Sequence, residues 1–478
     1  MARPIIIAAA VLFVFKLLLL AAIGPVFTPD TMGYIQFADT MLASRHWLDN
    51  ADIATQAVPI TAFRSLGYPA IIAAAKLMTG AAWPYAVVGL QFVASTAVFF
   101  AVYSLGLNLG LTARWALAGA LIYATSLQLT LDQCILTDSL NASALILAVT
   151  IFLRGGAGGA KVGFAQTAAS GVLIAIAFLI REAMPFLALA MIPLFAIRCA
   201  LIRGAPWLTR ILLCAIVWLP LVGAIASYQL WNLHRTGERF VTTGAQLNAL
   251  WSLVQAAKAQ PDIFSGDTPL ERHVRPALKQ YELSEVGEIN GALFKDGYRA
   301  PAIARMAMDK YIAAWREHPG AMLKLVRIAT SERVLKLVVR PVTAVCELIE
   351  WAEKPRCFDY RDLYRKLFRH PFDLTLREIP VFVAITIQNA LSIALSALYF
   401  AGIPIALVLA WRKRGRSPDR PLMLAAGFWI LGVGWHLIYA VAVYTDRYMA
   451  PAIPFMILGG LLAMAQFAPR LTRESAAP

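Results

Sequence analysis

The chain has 478 residues, of which 59% are hydrophobic and only 15% are charged, and its mean hydropathy is +0.65. This composition excludes an ordinary soluble protein and indicates a polytopic membrane protein. The net charge of +15 does not indicate a nucleic-acid-binding protein, because the basic residues lie in short loops between apolar segments and in one long loop. There they suit membrane topology and contacts with lipid phosphates. We therefore expect membrane lipids and no nucleic acid among the partners.

The apolar segments predict an all-α protein with about ten to twelve transmembrane helices. The first, at 4–24, lacks a small-residue cleavage site and is interpreted as a retained helix. Residues 67–79 are apolar but only 13 long, so we expect an embedded helix that does not complete the passage. The remaining predicted spans lie at 83–106, 115–130, 139–153, 163–180, 184–198, 211–231, 379–410, 421–440 and 448–467.

Loop charges orient these spans. With the N-terminus inside, the loops predicted to lie inside are rich in Lys and Arg, whereas the short outer loops contain only Arg181 and Arg447. This is the positive-inside pattern, and it holds only if 67–79 does not cross. The chain then divides into a membrane module at 1–231, with a first outer loop at 25–66, a large outer loop or cap at 232–378, and final spans at 379–478. We expect a bacterial inner (plasma) membrane protein with its active site on the periplasmic, or exoplasmic, side.

The long outer loop contains one amphipathic stretch. In residues 321–345 apolar positions recur at helical spacing with basic residues between them, which predicts a helix lying on the bilayer. The alternative is a solvated helix packed on the core of the loop itself. Cys346 and Cys357 follow in the same loop, and both pairing in an oxidising compartment and free thiols remain open.

The first candidate site residue is Asp30, in the sequence TPDTMGYIQFA after the first span. Asp30, Tyr34 and Ala38 share one face if this segment is helical. A carboxylate kept at a membrane boundary is costly, which indicates a function. The alternative is that Asp30 caps the start of a juxtamembrane helix.

Three further stretches fit the same picture. The sequence AFRSLGYPA places Arg64 and Tyr68 at the mouth of the short helix, where a guanidinium suits forked binding of phosphate. The sequences LTDSL and YTDRYMAPAIP place Asp138, and Arg447 with Tyr448, at the outer starts of two spans. The corresponding alternatives are a snorkelling arginine, a helix N-cap and an aromatic belt with an anchoring arginine.

The predicted topology brings these residues to one membrane face, together with Arg181 and Glu182 after the span at 163–180. Polar groups from separate spans that converge at one surface make an active site a stronger hypothesis than any one of them does.

In this order the motifs resemble those of a known family. They are Asp-x-x-x-Tyr after the first span, Arg-x-x-Gly-Tyr-Pro after the first loop, Thr-Asp-Ser-Leu at the fourth span, an arginine after the fifth, and Arg-Tyr-x-x-Pro-x-x-Pro at the last. A Trp-Asn-x-x-Arg-Thr-Gly pattern opens the long loop. The set resembles the GT-C superfamily of integral-membrane glycosyltransferases, specifically the bacterial branch similar to protein O-mannosyltransferases and lipid A aminoarabinose transferases.

The pattern covers most of the chain, whereas its specific motifs cover only a small part. Many members carry Asp-Glu where this chain has Asp30-Thr31. That departure puts a two-carboxylate role for the first loop in doubt and leaves Asp138 as the second acid.

The resemblance implies an enzyme that transfers a sugar, with inversion, from a polyprenyl-phosphate donor to an extracytoplasmic glycolipid, polysaccharide or protein. Such a transfer needs a base beside the acceptor and cations facing the leaving phosphate. Asp30 is the candidate base, and Asp138 is expected to orient the acceptor, bind a divalent ion or cap its helix. The expected cations are Arg64, Arg181 and Arg447, with Arg235 and Arg239 as weaker candidates. The expected sugar- and substrate-binding residues are Tyr34, Tyr68, Tyr448 and Glu182.

Two other function classes stay open at this point. A transporter or flippase of lipid-linked saccharides would share the spans and arginines, but it is expected to carry paired halves and charges deep within spans. A polysaccharide polymerase or ligase would use similar substrates. The six histidines are scattered, so we predict no structural zinc. A divalent cation on Asp30 and Asp138 is compatible with the sequence but not indicated by it.

Overall fold

A computed structural model of the chain describes residues 2–43, 51–154, 164–182, 206–278, 285–334, 344–347, 356–359, 375–414, 420–441, 446–465 and 467. The helices up to residue 182 are α1 (Ala2–Ile23), α2 (Pro29–Ala43), α3 (Ala51–Thr55), α4 (Ile60–Phe63), α5 (Gly67–Thr79), α6 (Trp83–Asn108), α7 (Ala113–Thr125), α8 (Leu127–Leu131), α9 (Thr137–Arg154) and α10 (Phe164–Ile180).

Further helices follow in the described ranges after residue 206. They are α11 (Trp207–Thr236), α12 (Gly244–Ala259), α13 (Pro269–Ala277), α14 (Glu285–Lys295), α15 (Ala300–Glu317), α16 (Pro319–Val334), α17 (Glu378–Ala397), α18 (Ile403–Arg414), α19 (Arg420–Val441) and α20 (Ile453–Ala465). A π-helical turn at Leu398–Gly402 joins α17 to α18. Strands β1 (Ala344–Glu347) and β2 (Arg356–Asp359) form an antiparallel pair.

Apolar helices dominate this architecture. Within the described ranges, five helical stretches are long and apolar enough to cross a membrane, namely Arg3–Ile23, Gly67–Asn108, Trp207–Thr236, Glu378–Leu409 and Leu422–Tyr439. Shorter apolar helices cover Thr137–Leu153, Phe164–Ile180 and Ile453–Ala465. The chain is therefore an α-helical polytopic membrane protein. The predicted span at 184–198 lies outside the described residues, and the count of ten to twelve spans stays a prediction.

The short helix at 67–79 has the bounds that the sequence predicts. It ends at Gly80, whose φ of 55° is a left-handed conformation that glycine adopts readily, and a 3₁₀ turn leads into α6. Whether α5 stops short of crossing stays a prediction.

The predicted span at 115–130 is not one continuous helix. It divides at Ser126, which has an extended ψ of −152° between α7 and α8. The Ser126 hydroxyl donates to the Tyr123 carbonyl over 2.6 Å, and the Ser126 carbonyl accepts from Gln388 over 3.0 Å. Side chains therefore satisfy the backbone groups that the break exposes, as a membrane-embedded break requires.

The helices α12 to α16 pack around a hydrophobic core of their own, which includes Leu250, Leu253, Phe264 and Ile303. The amphipathic stretch predicted at 321–345 falls partly here. Its residues Ala321 and Met322 are buried in this core, which favours the loop-packing alternative for the start of the helix. The helical prediction is wrong at residues 344 and 345, which begin β1, and residues 335–343 lie outside the described ranges.

Strands β1 and β2 place Cys346 and Cys357 directly opposite each other in the register. The structure does not describe the side chains of these two cysteines, so a disulfide between them stays a prediction.

A fully buried ion pair joins the first helix to Asp132, the residue that follows α8. Lys16, in the middle of α1, donates to Asp132 Oδ2 and to Ser95 Oγ, each over 2.6 Å, and both charged side chains have 0% exposure. Asp132 Oδ1 accepts from Gln128 and Ser139, each over 2.6 Å. Because buried charges are tolerated only when paired and hydrogen-bonded, this network fixes how α1, α6 and the segment after α7 meet.

We expect Lys16→Met to destabilise the protein by about 3–5 kcal/mol, because it leaves Asp132 buried without a counter-charge. The double variant Lys16→Met/Asp132→Asn should recover most of that loss. The control is Lys76→Met, which breaks the ion pair with the half-exposed Asp39 and should cost only about 0–1 kcal/mol. Thermal unfolding of the three variants in nanodiscs checks the order, and equal losses for Lys16→Met and Lys76→Met would contradict it.

Candidate functional site

The segment before α2 pairs with the segment before α9, which brings the two candidate aspartates to one end of the helices. Val26 N–H donates to the Gln133 carbonyl and the Val26 carbonyl accepts from Ile135 N–H, each over 2.8 Å. The buried Thr31 hydroxyl donates to the Ile135 carbonyl over 2.8 Å. Asp30 and Asp138 then lie in the first turns of α2 and α9.

Asp30 binds two arginines from distant parts of the chain. Arg64, just after α4, donates to Asp30 Oδ1 over 2.8 Å, and Arg447, just before α20, donates to Asp30 Oδ2. Both carboxylate oxygens thus accept from guanidinium groups. This favours a functional carboxylate over the helix cap that the sequence left as an alternative.

The ion pairs continue from Arg447 to the second aspartate. Arg181, just after α10, donates to Asp138 Oδ1, and Arg447 Nε lies 3.8 Å from Asp138 Oδ2. The order of charges is therefore Arg64, Asp30, Arg447, Asp138 and Arg181, which we call the ion chain. It alternates in sign and carries a net charge of +1 before Glu182 is counted.

Three tyrosines surround the ion chain. The Arg64 guanidinium lies 4.8 Å from the centre of the Tyr34 ring, and the Arg181 guanidinium lies 4.0 Å from that of Tyr448. Tyr34 and Tyr68 pack edge to face with their centroids 5.3 Å apart. Cation–π contacts hold the guanidinium planes in place without consuming their hydrogen-bond donors.

Burial and charge set the pKa values at this site. Burial raises the pKa of Asp30, but the charges and hydrogen bonds of Arg447 and Arg64 outweigh it and hold that pKa at about 2, below the ordinary 3.8. Burial lowers the pKa of Arg64, but Tyr34 and Asp30 outweigh it and raise that pKa. Asp30 and Arg64 therefore form a pair of opposite charges at neutral pH.

Some buried polar atoms of the ion chain make no hydrogen bond within the described part of the protein. They are Arg64 Nε, Arg447 Nε and Asp138 Oδ2. Unsatisfied buried groups are costly and are commonly found where a ligand supplies the missing partner. Arg64 Nε–H is thus available to an anion, whereas Arg447 Nε and Asp138 Oδ2 lie 3.8 Å apart, at ion-pair distance but beyond hydrogen-bond distance.

The two weaker arginine candidates, Arg235 and Arg239, lie in different surroundings. Arg235 donates to Asn232 Oδ1, to Thr61 Oγ1 and to the Thr61 carbonyl over 2.8–2.9 Å, so its guanidinium braces α11 against α4. Arg239 is exposed and lines a cavity beside α15. Neither makes a contact with Asp30 or Asp138 that would add it to the ion chain.

The donor set does not fit a divalent cation. No group of three metal-ligating side chains occurs among the described residues. Asp30 is engaged by two guanidinium groups and Asp138 by one, with a second 3.8 Å away. A divalent ion there would replace ion pairs already formed and would face three arginine charges, so we assign no metal to this site.

Lys16 and Gln91 support the site although the sequence did not predict them as part of it, and they act together with Asp132, which the predicted topology places on the same outer face as Asp30 and Asp138. Gln91 Nε2 donates to the carbonyls of Asp132 and Cys134 over 3.0 and 2.9 Å, and its Oε1 accepts from Tyr68 over 3.1 Å. A single lysine within an otherwise apolar helix is the signal that points to such a network.

Close packing at Gly67 explains why glycine occupies the first position of the Gly-Tyr-Pro motif. A Cβ at Gly67 would lie 2.6 Å from the Leu179 carbonyl oxygen, two residues before Arg181. Glycine therefore lets α5 pack directly against the end of α10, next to the arginine that binds Asp138.

No family profile, curated protein or solved structure matches the chain. What the site does must therefore be argued from its own chemistry and from the motif resemblance.

We expect Gly67→Ala to push α5 away from α10, because backbone atoms cannot yield to the added methyl group as a flexible side chain would. The cost should be about 1–3 kcal/mol of stability, with a displaced Arg181. The control is Gly89→Ala in α6, where an added Cβ meets nothing within 4 Å. Thermal unfolding in nanodiscs checks both variants, and a Gly67→Ala protein as stable as Gly89→Ala would show that the close packing is not required.

Proposed function

We propose that the chain is a membrane glycosyltransferase that moves a sugar from a polyprenyl-phosphate donor to a hydroxyl or phosphate group of a cell-envelope acceptor. The observation that carries the proposal is the ion chain, in which three arginines and two aspartates from five separate segments meet at one end of apolar helices. The motif resemblance to GT-C enzymes agrees with it. The active site would face the periplasm or exoplasm, in accord with the loop charges.

The arginines would receive the phosphate of the donor. A lipid-linked donor arrives from the bilayer, and its phosphate leaves as an anion, so fixed cations lower the barrier. Arg64 Nε–H has no hydrogen-bond partner in the described protein, whereas Arg447 Nε lies 3.8 Å from Asp138 Oδ2. The Arg64 donor would suit a phosphate oxygen without first breaking an ion pair.

Asp30 would act as the base that removes the proton of the acceptor. With a pKa of about 2 it is ionised but weakly basic at rest. A bound phosphate would draw the fields of Arg64 and Arg447 away from Asp30 and raise its pKa toward the ordinary value. Donor binding would thereby activate the base, and a base that strengthens only with donor present limits side reactions.

Asp138 would position Arg181 and a hydroxyl group of the acceptor. Its Oδ1 fixes Arg181, and its Oδ2 lies 3.8 Å from Arg447 Nε without accepting a hydrogen bond in the described part of the chain, so a hydroxyl of the acceptor would supply that hydrogen bond. Tyr34 and Tyr448 present ring faces beside the arginines, and ring faces are common contacts for sugars.

A transporter of lipid-linked saccharides is the second candidate, and the Lys16–Asp132 pair favours it because charges lie within a span. However, every charged atom of that pair is hydrogen-bonded to protein, which suits a structural brace better than an ion path. Movement of a labelled donor across proteoliposomes containing the protein, without transfer to an acceptor, would support the transporter.

We expect Asp30→Asn to lower sugar transfer by 100-fold or more, which is about 2.7 kcal/mol in the barrier. The measurement is consumption of radiolabelled polyprenyl-phosphate sugars by purified protein, with a cell-envelope extract as acceptor. Asp39→Asn is the matched control, because Asp39 lies on the same helix but pairs with Lys76 away from the ion chain. It should retain activity near that of the wild type.

Glu182→Gln in the same assay tests whether Glu182, whose charge also acts on Arg64, is the base instead of Asp30. Loss of transfer in this variant with full activity in Asp30→Asn would move the base to Glu182. If the wild type consumes none of the donors, the glycosyltransferase proposal itself fails.

The resting pKa of Asp30 predicts a particular pH dependence. Because that pKa is about 2 in the free enzyme, Asp30 should not limit kcat/KM as the pH falls from 7 to about 4. Arg447→Gln removes the main influence that lowers the pKa, so the acid limb of its normalised kcat/KM profile should move upward, to about pH 4–5. Identical acid limbs in the two proteins would show that Arg447 does not control the base.

A further inference from the structure

A polar cavity lies between the turn after α11 and the helix α15, next to the segment that carries Arg64. It has a volume of about 630 Å³. Its walls come from residues 237–246 and 301–309, two segments that the chain separates widely but the fold brings together. A cavity of this size accommodates a small ligand or part of a larger one.

The floor of the cavity is polar and unsatisfied. Thr243 is fully buried and its Oγ1 makes no hydrogen bond within the described protein, and the same holds for Oε1 of Gln246. A buried amide oxygen without a donor and a buried hydroxyl without a partner are costly unless a ligand or solvent bonds to them. Both groups suit a ligand that is rich in hydroxyl groups.

The rim of the cavity carries equal numbers of positive and negative side chains. Arg305 and Glu238 form an ion pair, and Arg239 and Asp309 also line the cavity. Two positive and two negative groups cancel, so the cavity does not select a strongly anionic ligand. Phe240 adds an aromatic side chain to this lining. Polar groups together with an aromatic side chain fit a saccharide better than a lipid chain or an apolar peptide segment.

The cavity connects to the ion chain through one short stretch of backbone. Thr243 N–H donates to the Ala62 carbonyl over 2.8 Å. At the adjacent Gly244 an added Cβ would lie 2.7 Å from the Phe63 carbonyl oxygen and 3.1 Å from Glu182 Oε1. The next residue after Phe63 is Arg64, which binds Asp30. The cavity floor is thus packed against the backbone that carries the candidate phosphate-binding arginine.

We propose that this cavity binds the saccharide portion of the acceptor and holds the acceptor for attack at the ion chain. This inference rests on the proposed function, because it assigns the acceptor side of the same centre. The cavity selects hydroxyl-rich glycans, and Glu182 Oε1 lies beside Gly244, the residue after Thr243. The acceptor is accordingly a glycan or a molecule that carries one, rather than an unglycosylated protein.

The test measures binding without requiring transfer. Full-length protein in nanodiscs is titrated calorimetrically with three soluble probes, namely maltopentaose, cellopentaose and the core oligosaccharides that mild acid releases from bacterial lipopolysaccharide. We expect at least one probe to bind the wild type. Thr243→Val and Gln246→Leu should each weaken its binding by about tenfold, because each removes one hydrogen-bonding group from the floor.

Three controls separate the site from the fold and from catalysis. Thr243→Ser keeps the hydroxyl and should retain the affinity, while Asn248→Ala changes an exposed residue that does not line the cavity and should have no effect. Asp39→Asn breaks only the ion pair with Lys76, away from the ion chain and the cavity, and should bind the probe as the wild type does. The cavity assignment is therefore tested separately from the catalytic one.

Two results would overturn the assignment. One is the absence of binding by the wild type to all three probes at millimolar concentration. The other is equal affinity in Thr243→Val, Gln246→Leu and the wild type, which would place the bound sugar elsewhere. Unfolding temperatures of the variants, measured in the same nanodiscs, confirm that any lost binding comes from folded protein.

Discussion

The Asp30 carboxylate, held between Arg64 and Arg447, is the interaction on which the arrangement of the site depends. It links the first and last parts of the chain, since Asp30 and Arg447 are 417 positions apart. A half-buried carboxylate with one arginine would still be costly to desolvate, whereas two arginines supply enough favourable charge to lower its pKa. The helix ends that carry these residues are therefore fixed relative to one another by charge, at the boundary where the apolar packing of the helices ends.

A second network lies beneath this one and supports it. Lys16 binds Asp132 near the start of the segment that leads to Asp138. Gln91 donates to the backbone of the same segment and accepts a hydrogen bond from Tyr68. Tyr68 in turn packs on Tyr34, which contacts Arg64. The Lys16–Asp132 network and the ion chain share no charged residue. The first network therefore affects the ion chain only by fixing where its residues lie. A change at Lys16 should consequently alter stability and geometry together, whereas a change at Asp30 acts first on the chemistry.

The sequence was sufficient to place the candidate site at one end of the spans, because span length and loop charge together decide which helix ends share a face. It also gave the bounds of α5, because an apolar run of 13 residues ends at a glycine. Other features depend on contacts between distant segments and have no local pattern. The break at Ser126 needs Gln388, the requirement for glycine at 67 needs the Leu179 carbonyl, and the cavity needs α15 to meet the turn after α11. Lys16 was visible as a charge in an apolar helix, but its partner was not.

The alternation of charges in the ion chain has a consequence for how a substrate enters. Under the proposed function, an incoming phosphate would compete with Asp30 and Asp138 for the guanidinium groups, so it would meet a site whose field is already largely neutralised. The competition lowers the affinity for any free anion, and it favours a ligand whose lipid or sugar parts contribute further binding energy. Under the proposed function, the same exchange of partners would release Asp30 from its arginines. Binding of the donor and activation of the base would then be two results of one electrostatic event.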